Sequence, residues 1–263
     1  MRVITTHFNW SDSNQFDRML KVLIYTVTSC GLPIQVISLG TMEGSRSHKL
    51  DNMWKARMLN YAVQNATNGE QLLLVDCDAI MTADPSHVFD QPFDIAITMR
   101  SRTGKINSGV VFVRVSERVK QFYEKWLEIQ ETMFVDAYFM GDWYKQYRGI
   151  NQAAFMWCRE SGIADDLDIL ELPCRVYNSC TDDHPAPKPQ ERYIIHMHFG
   201  ELRKMLFTKK RDIRKTRNLR RHQRMLGLRE LWLEKEKEAE HIRVEDYIKI
   251  FPEKMQESLM EVV

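Results

Sequence analysis

Nowhere in the 263 residues does an apolar run approach the ~20 needed to span a bilayer, and the opening MRVITTHFNW lacks the long apolar core of a secretory leader. The expectation is a soluble, cytoplasmic protein. A Cys-x-x-Cys pair is also missing. The cysteines at 30, 77, 158, 174 and 180 are odd in number and scattered, which excludes a disulfide scaffold or a structural zinc site and fits a reducing compartment. There is no internal repeat. Nor does one sign of charge dominate, with 37 Lys and Arg against 36 Asp and Glu. The balance is uneven along the chain, however. Residues 208–224, TKKRDIRKTRNLRRHQR, carry nine basic residues against Asp212 alone, leaving the remainder net acidic. Such a run is an electrostatic footprint for a polyanion, either nucleic acid or an anionic membrane surface contacted peripherally. It contains no aromatic residue, so base stacking has no platform there and phosphate contacts dominate.

The sequence is not short of material for a core: 44% of it is hydrophobic and 10% aromatic, enough for one large domain plus an extension. RVITT at 2–6 reads as a first strand, followed by a polar loop and a periodic helix over 15–29. Short apolar runs at 34–39, 71–76, 94–99 and 108–115 read as further strands, with helices over 48–66, 117–131 and 149–160. This alternation predicts an α/β fold with a mainly parallel sheet and helices on both faces. The proline-rich 181-TDDHPAPKPQ-190 excludes regular structure. Beyond 207 the pattern becomes charged helix with an incomplete stripe of Leu226, Leu228, Leu231 and Trp232, so the expected division is a catalytic domain over 1–207 and a basic helical extension over 208–263.

In 72-LLLVDCDAIM-81, two aspartates interrupt an apolar run where a buried strand ends. In open α/β sheets ligands bind outside the carboxyl ends of the strands. In extended geometry the single intervening residue aims Asp76 and Asp78 to the same, solvent-facing side. There they can share a hard divalent cation, or one can bind a ribose hydroxyl and the other the metal. Asp166 and Asp168 have the same spacing but enter a strand, the wrong end for a site. Farther along, 107-NSGVVFVR-114 sets a glycine, which permits close backbone approach, between a strand and the neutral hydrogen-bonding groups of Asn107 and Ser108.

Five features in order carry a family resemblance: lysine-bearing helix 48–66 with Lys55, 76-DCD-78, 107-NSGVVFV-113, the polar pair opening 151-NQAAF-155, and 194-IIHMHFGELRK-204. From about residue 2 to 205 the chain resembles the GT-A fold glycosyltransferases, in particular the nucleotide-sugar enzymes related to glycogenin and to bacterial lipopolysaccharide galactosyltransferases. The resemblance implies a metal-dependent transfer of sugar from a nucleoside diphosphate sugar, most simply a UDP-sugar, to a hydroxyl acceptor. Asp76 and Asp78 are then expected to hold Mn²⁺ or Mg²⁺ on the diphosphate, Asp76 directly or through water, with a late histidine adding a ligand. Gly109 with Asn107 and Ser108 lines the sugar pocket, and Asn151 and Gln152 lie near the transferred sugar. Two departures stand out. The polar pair is usually Asp-Gln in that family, and Met197 stands where the family has its histidine, three residues before Gly200. His196 and His198 straddle Met197 and project to one face of a strand, so either is a candidate ligand. Lys55, Arg203 and Lys204 are candidate phosphate partners; the last two fit a solvated surface equally. Thr6, Phe8 and Asp12 in the loop after the first strand are candidates for holding the nucleoside. Asp142 is a candidate base for the acceptor, and the stereochemical outcome stays open. The basic run suits a polyanionic acceptor, for which DNA bearing hydroxymethylated bases is one expectation and a glycan or lipid at an anionic membrane the alternative. Sugar-phosphate nucleotidyltransferases need a Gly-rich loop after the first strand, and that loop here has no glycine. A non-catalytic nucleic-acid-binding protein leaves the carboxylates and histidines without a role.

Overall fold

The computed structural model of the chain describes residues 1–10, 15–42, 48–100, 103–147, 149–179, 191–197 and 219–252. Nine strands and seven helices are labelled here in chain order: β1 (Arg2–Trp10), α1 (Gln15–Ser29), β2 (Ile34–Met42), α2 (His48–Gln64), β3 (Gln71–Val75), β4 (Ala79–Met81), β5 (Ile95–Arg100), β6 (Lys105–Arg114), α3 (Glu117–Val135), α4 (Ala137–Tyr147), α5 (Ile150–Glu160), β7 (Ile169–Pro173), α6 (Cys174–Tyr177), β8 (Ile194–His196), α7 (Leu219–Glu238) and β9 (Ile248–Ile250). Seven strands form one sheet in the order β7-β5-β6-β3-β1-β2-β9, and β4 pairs with β8 in a small second sheet. In the large sheet the pairings of β1 with β2 and β3, β2 with β9 and β5 with β7 are parallel. Only β6 runs against its neighbours β3 and β5. The expected mainly parallel α/β architecture is the one observed.

The apolar runs form central strands because both faces of the sheet are covered, as a run without polar alternation requires. Leu72 and Leu74 point to the layer of α2, α3 and α5, where Trp126 and Phe155 are buried. Leu73 and Val75 point the opposite way, against Leu23 and Val27 of α1. Helix α3 starts where Ser116, in extended backbone, accepts a hydrogen bond from the Val119 N–H.

One boundary differs from expectation. The first strand extends through Trp10, paired with β2 as far as Met42 across a shift of register between His7 and Asn9, so Thr6 and Phe8 stand on a strand end rather than in a loop. Alternating polar residues at Thr5, His7 and Asn9 make this end look like loop, yet Thr5 and His7 are buried. In addition, the expected charged extension is, over 219–252, built into the same fold. Trp232 on α7 is 1% exposed within a cluster that includes Phe16, Met19 and Leu20 of α1. Arg18 and Glu236 bridge the two helices at 2.6 Å. Strand β9 then lengthens the sheet beside β2, and Phe251 inserts into the main core edge-on to Tyr61. The side chains of Leu226 and of the basic run 208–224 are not described.

Candidate metal centre and donor cavity

Strand β3 stops at Val75 because the chain turns. The Asp76 N–H donates to the Gly109 carbonyl at 2.9 Å, and the Asp76 carbonyl accepts from Ala79 N–H at 3.2 Å, closing a turn into β4. The two carboxylates are thus brought together by a turn and not by extended alternation. Strand β4 pairs antiparallel with β8, setting Ala79 opposite His196. The Met197 N–H then donates to the Asp78 carbonyl at 2.9 Å, fixing that register.

The result is a compact cluster. His196 Nε2 lies 3.1 Å from Asp78 Oδ1 and 3.4 Å from Asp76 Oδ2. One ligand atom from each residue lies within 4.8 Å of the others. Asp78 is only 1% exposed, which corrects the expectation of a solvent-facing pair: Asp76 borders the open cavity and Asp78 lies behind it. Lys55 forms an ion pair with Asp76, and its Nζ also approaches the Ser108 carbonyl at 3.5 Å. Burial alone disfavours a charged His196, but the carboxylates of Asp78 and Asp76 outweigh it and hold the imidazole above its ordinary pKa.

The cluster exists because Gly109 has no side chain. A Cβ there would lie 2.2 Å from His196 Cε1, 2.4 Å from Nδ1 and 3.1 Å from Asp76 Oδ2. The other ring nitrogen is also held: Nδ1 lies 2.8 Å from Asn178 Oδ1. Two carboxylates and one imidazole form a mixed oxygen–nitrogen donor set that could hold a divalent cation, and the close grouping of their ligand atoms fits a single ion. Cys77 does not join it. It packs among apolar residues, and burial, reinforced by Asp78 and Asp76, pushes its thiol well above the ordinary value.

A cavity of about 470 Å³ opens over the cluster, beyond the carboxyl ends of β1 and β3 and the start of β6. The structure brings to it Thr6, Phe8, Lys55, Asp76 and Asp78, together with Asn107, Ser108, Gly109, Asn151, Gln152 and His196. Asp142 is not brought there: its side chain is 98% exposed on α4, where it faces Lys145 at 3.5 Å. Asp12, His198, Arg203 and Lys204 lie outside the described residues. Asp166 and Asp168 precede β7, and Asp168 lies beside Arg118, remote from the cavity lining.

Sequence reasoning missed Phe16, Asp51, Arg100, Lys105 and Tyr147, which also line the cavity. Asp51 had a signal, since it precedes Lys55 by one helical turn and so shares its face. Phe16 makes a tilted pair with Phe8, ring centroids 6.1 Å apart, forming an apolar wall. Asn178 had none, because its link to His196 depends on the Ser179–Ile195 bridge.

A family model described as nucleotide-diphospho-sugar transferase matches residues 42–205. Among solved structures, the chain is similar to the apo form of the glycosyltransferase GlyE of Streptococcus pneumoniae TIGR4, with 12% identity over 99% of this chain and 63% of that one and a TM-score of 0.57. It is also similar to a glycosyltransferase involved in the glycosylation of the major capsid of PBCV-1, at 12% identity over 86% of this chain and 98% of that one, TM-score 0.53. A third, the galactosyltransferase LgtC in complex with donor and acceptor sugar analogs, aligns at 9% identity over 92% and 98%, TM-score 0.50. At such identities the likeness is one of fold. No curated protein matches the sequence.

Proposed function

The chain belongs to the nucleotide-diphospho-sugar transferase family, and we propose that it moves a sugar from a nucleoside diphosphate donor, of the UDP type, to a hydroxyl of a glycan or glycolipid with the help of Mn²⁺ or Mg²⁺ held by Asp76, Asp78 and His196. The observation that carries this reading is the convergence of two carboxylates and one imidazole at the floor of the cavity. A divalent ion bound there supplies positive charge against the diphosphate as the glycosidic bond breaks.

The chain's own residues do the rest. Lys55 adds a second positive charge beside Asp76 and is the described cation best placed to face a phosphate. Asn107, Ser108 and the backbone at Gly109 offer neutral hydrogen-bonding groups for sugar hydroxyls, and the Asn151 and Gln152 amides face the same cavity. At the β1 end, Thr6 supplies a hydroxyl and Phe8 with Phe16 an apolar wall for the nucleoside. The donor cavity is lined entirely by residues between Thr6 and His196, consistent with a catalytic unit over 1–207, which 219–252 buttresses through α1 and the sheet edge.

A sugar acceptor is supported by the fold relatives, one of which was solved with an acceptor sugar analog and another of which is involved in capsid glycosylation. The basic run 208–224 supports the rival acceptor, DNA bearing hydroxymethylated bases, on sequence alone. Among the described residues no helix is long and apolar enough to cross a membrane.

Calorimetric titration with UDP in Mn²⁺ and after chelation tests the donor half, and equal affinity in both conditions would refute it. Incubation with a panel of UDP-sugars, offered oligosaccharides or hydroxymethylated duplex DNA, tests the acceptor half. Transfer to DNA alone would replace the glycan reading.

A further inference from the structure

Neutral imidazole carries one proton, and a histidine can give a metal the lone pair of only the nitrogen that lacks it. At His196 two kinds of acceptor compete for that proton. Asn178 Oδ1 lies 2.8 Å from Nδ1. Asp78 Oδ1 and Asp76 Oδ2 lie 3.1 and 3.4 Å from Nε2. Carboxylates are the stronger acceptors, so without an opposing acceptor the proton settles on Nε2, the nitrogen that faces the cluster. A proton there blocks the metal.

The opposing acceptor is rigidly oriented. Asn178 is fully buried, and its Nδ2 donates to Thr98 Oγ1 at 2.8 Å and to the Asn107 carbonyl at 3.2 Å. Thr98 Oγ1 spends its own proton on the same Asn107 carbonyl at 2.7 Å, and so can only accept from Asn178. Turning the amide over would set Asn178 Oδ1 against a carbonyl oxygen with no proton between them. The network therefore dictates which end of the amide is oxygen, and that end faces His196. Residues of β5 and β6 thereby fix the side-chain orientation of a residue just after α6.

We propose that Asn178 is a positioning residue that holds the His196 proton on Nδ1, leaving the Nε2 lone pair free for the divalent ion shared with Asp76 and Asp78. This rests on the metal-dependent reading of the site given above. An acceptor behind a ligating imidazole fixes its tautomer and orientation, and loss of such an acceptor typically costs ~10–100-fold in metal affinity.

The test joins a spectroscopic and a binding readout. In wild-type protein labelled with ¹⁵N-histidine and saturated with Mg²⁺, His196 is expected to show a protonated Nδ1 and an unprotonated Nε2. Asn178→Leu, which keeps the volume but removes the acceptor, is expected to weaken Mn²⁺ binding in calorimetry by ~10–100-fold and, at a pH where the metal-free ring is neutral, to move its proton to Nε2. Asn178→Asp, as the buried neutral acid with its proton on the oxygen that faces the Asn107 carbonyl, keeps both that donor and an acceptor for Nδ1–H and is expected to recover most of the affinity, which a merely structural loss of packing would not do. An Nε2-protonated His196 in the Mg²⁺-bound wild type overturns the proposal even if Asn178→Leu fails to fold. Wild-type affinity in a folded Asn178→Leu protein overturns it as well. Should wild-type protein bind neither ion, the metal-dependent reading itself fails, an outcome distinct from both.

Discussion

Gly109 offers the sharpest test of the site's construction, because one methyl group there meets two of the three candidate ligands. A carbon–carbon contact settles at ~3.5–4.0 Å, whereas the alanine Cβ would sit 2.2 Å from His196 Cε1, so Gly109→Ala demands a displacement of roughly 1.3 Å. The ring has little room to yield, being 3% exposed and held at Nδ1 by Asn178. If the ring moves, its approach to Asp78 at 3.1 Å is lost. If β6 moves instead, the Asp76 N–H loses its bond to the Gly109 carbonyl and the turn carrying both carboxylates opens. Either way the donor set comes apart. Overpacking of this kind costs about 1–3 kcal/mol of stability, and disturbance of a ligand's support weakens metal binding about 10–100-fold. Gly141→Ala is the matched control. No atom lies within 4 Å of its added Cβ. As a helix-interior position it is expected to gain ~0.5–1 kcal/mol. Thermal melts and Mn²⁺ calorimetry on both variants read the contrast. A Gly109→Ala protein that melts and binds Mn²⁺ like wild type would show that His196 does not stand where the structure sets it.

Asp78→Asn is expected to abolish Mn²⁺ binding and sugar transfer, while Asp168→Asn, whose side chain is 79% exposed and 3.7 Å from Arg118, leaves both near wild type; similar behaviour in the two assays counts against the strand-end argument. His7 is buried, and that burial outweighs Asp17 in holding its pKa below the ordinary 6.5. Between the folded value and 6.5 the unfolded chain binds more protons, so stability is full above 6.5 and is lost as pH falls through that window. Melting curves for wild type and His7→Gln from about pH 5 to 7.5 should show the acid-side loss shrinking in the variant, and an unchanged slope assigns the loss elsewhere. The Tyr123 hydroxyl is buried without a hydrogen-bond partner among the described residues, so Tyr123→Phe is expected to be neutral or to gain up to ~1 kcal/mol in denaturant unfolding, and a clear loss would reveal a partner for that hydroxyl.

How far the sequence reveals such a structure depends on which contacts make each element. Strands β3, β5 and β6 are legible because burial on both faces imposes apolar runs that no loop would carry. The outer half of β1 is not, because Thr6, Phe8 and Asn9 mix polar and apolar residues at a strand end that borders the cavity. Helix α7 conceals its role in another way. Half of its 20 residues are charged, and only Trp232 and its neighbours Leu228 and Leu231 mark the face that meets α1. A partly apolar face reads as an appendage until its partner is known. Strand β9 has three residues and two of them are exposed, so its place beside β2 is set by tertiary pairing. The Asp76–Asp78 pair was legible as a candidate site, but the turn that joins its carboxylates was not, since Asp-Cys-Asp has no signal that separates a strand end from a turn.

The histidine shows where local pattern and tertiary register must be combined. Family spacing pointed to residue 197, yet Met197 is 1% exposed in the cluster that α1 and Trp232 build. Ile195 belongs to that same cluster and pairs with Ile80 of β4. With side chains alternating across the strand, burial of Ile195 and Met197 on one side sends Ile194 and His196 to the other, where Ala79 and the two aspartates begin. A slip of one residue would exchange the faces, driving the imidazole into the apolar cluster and Met197 onto the carboxylates. The apolar residues at 195 and 197 are therefore what commits His196 to the metal side. The alternation was present in IIHM from the start, but which of its faces meets the carboxylates was decided only once β4 was known to be the partner strand.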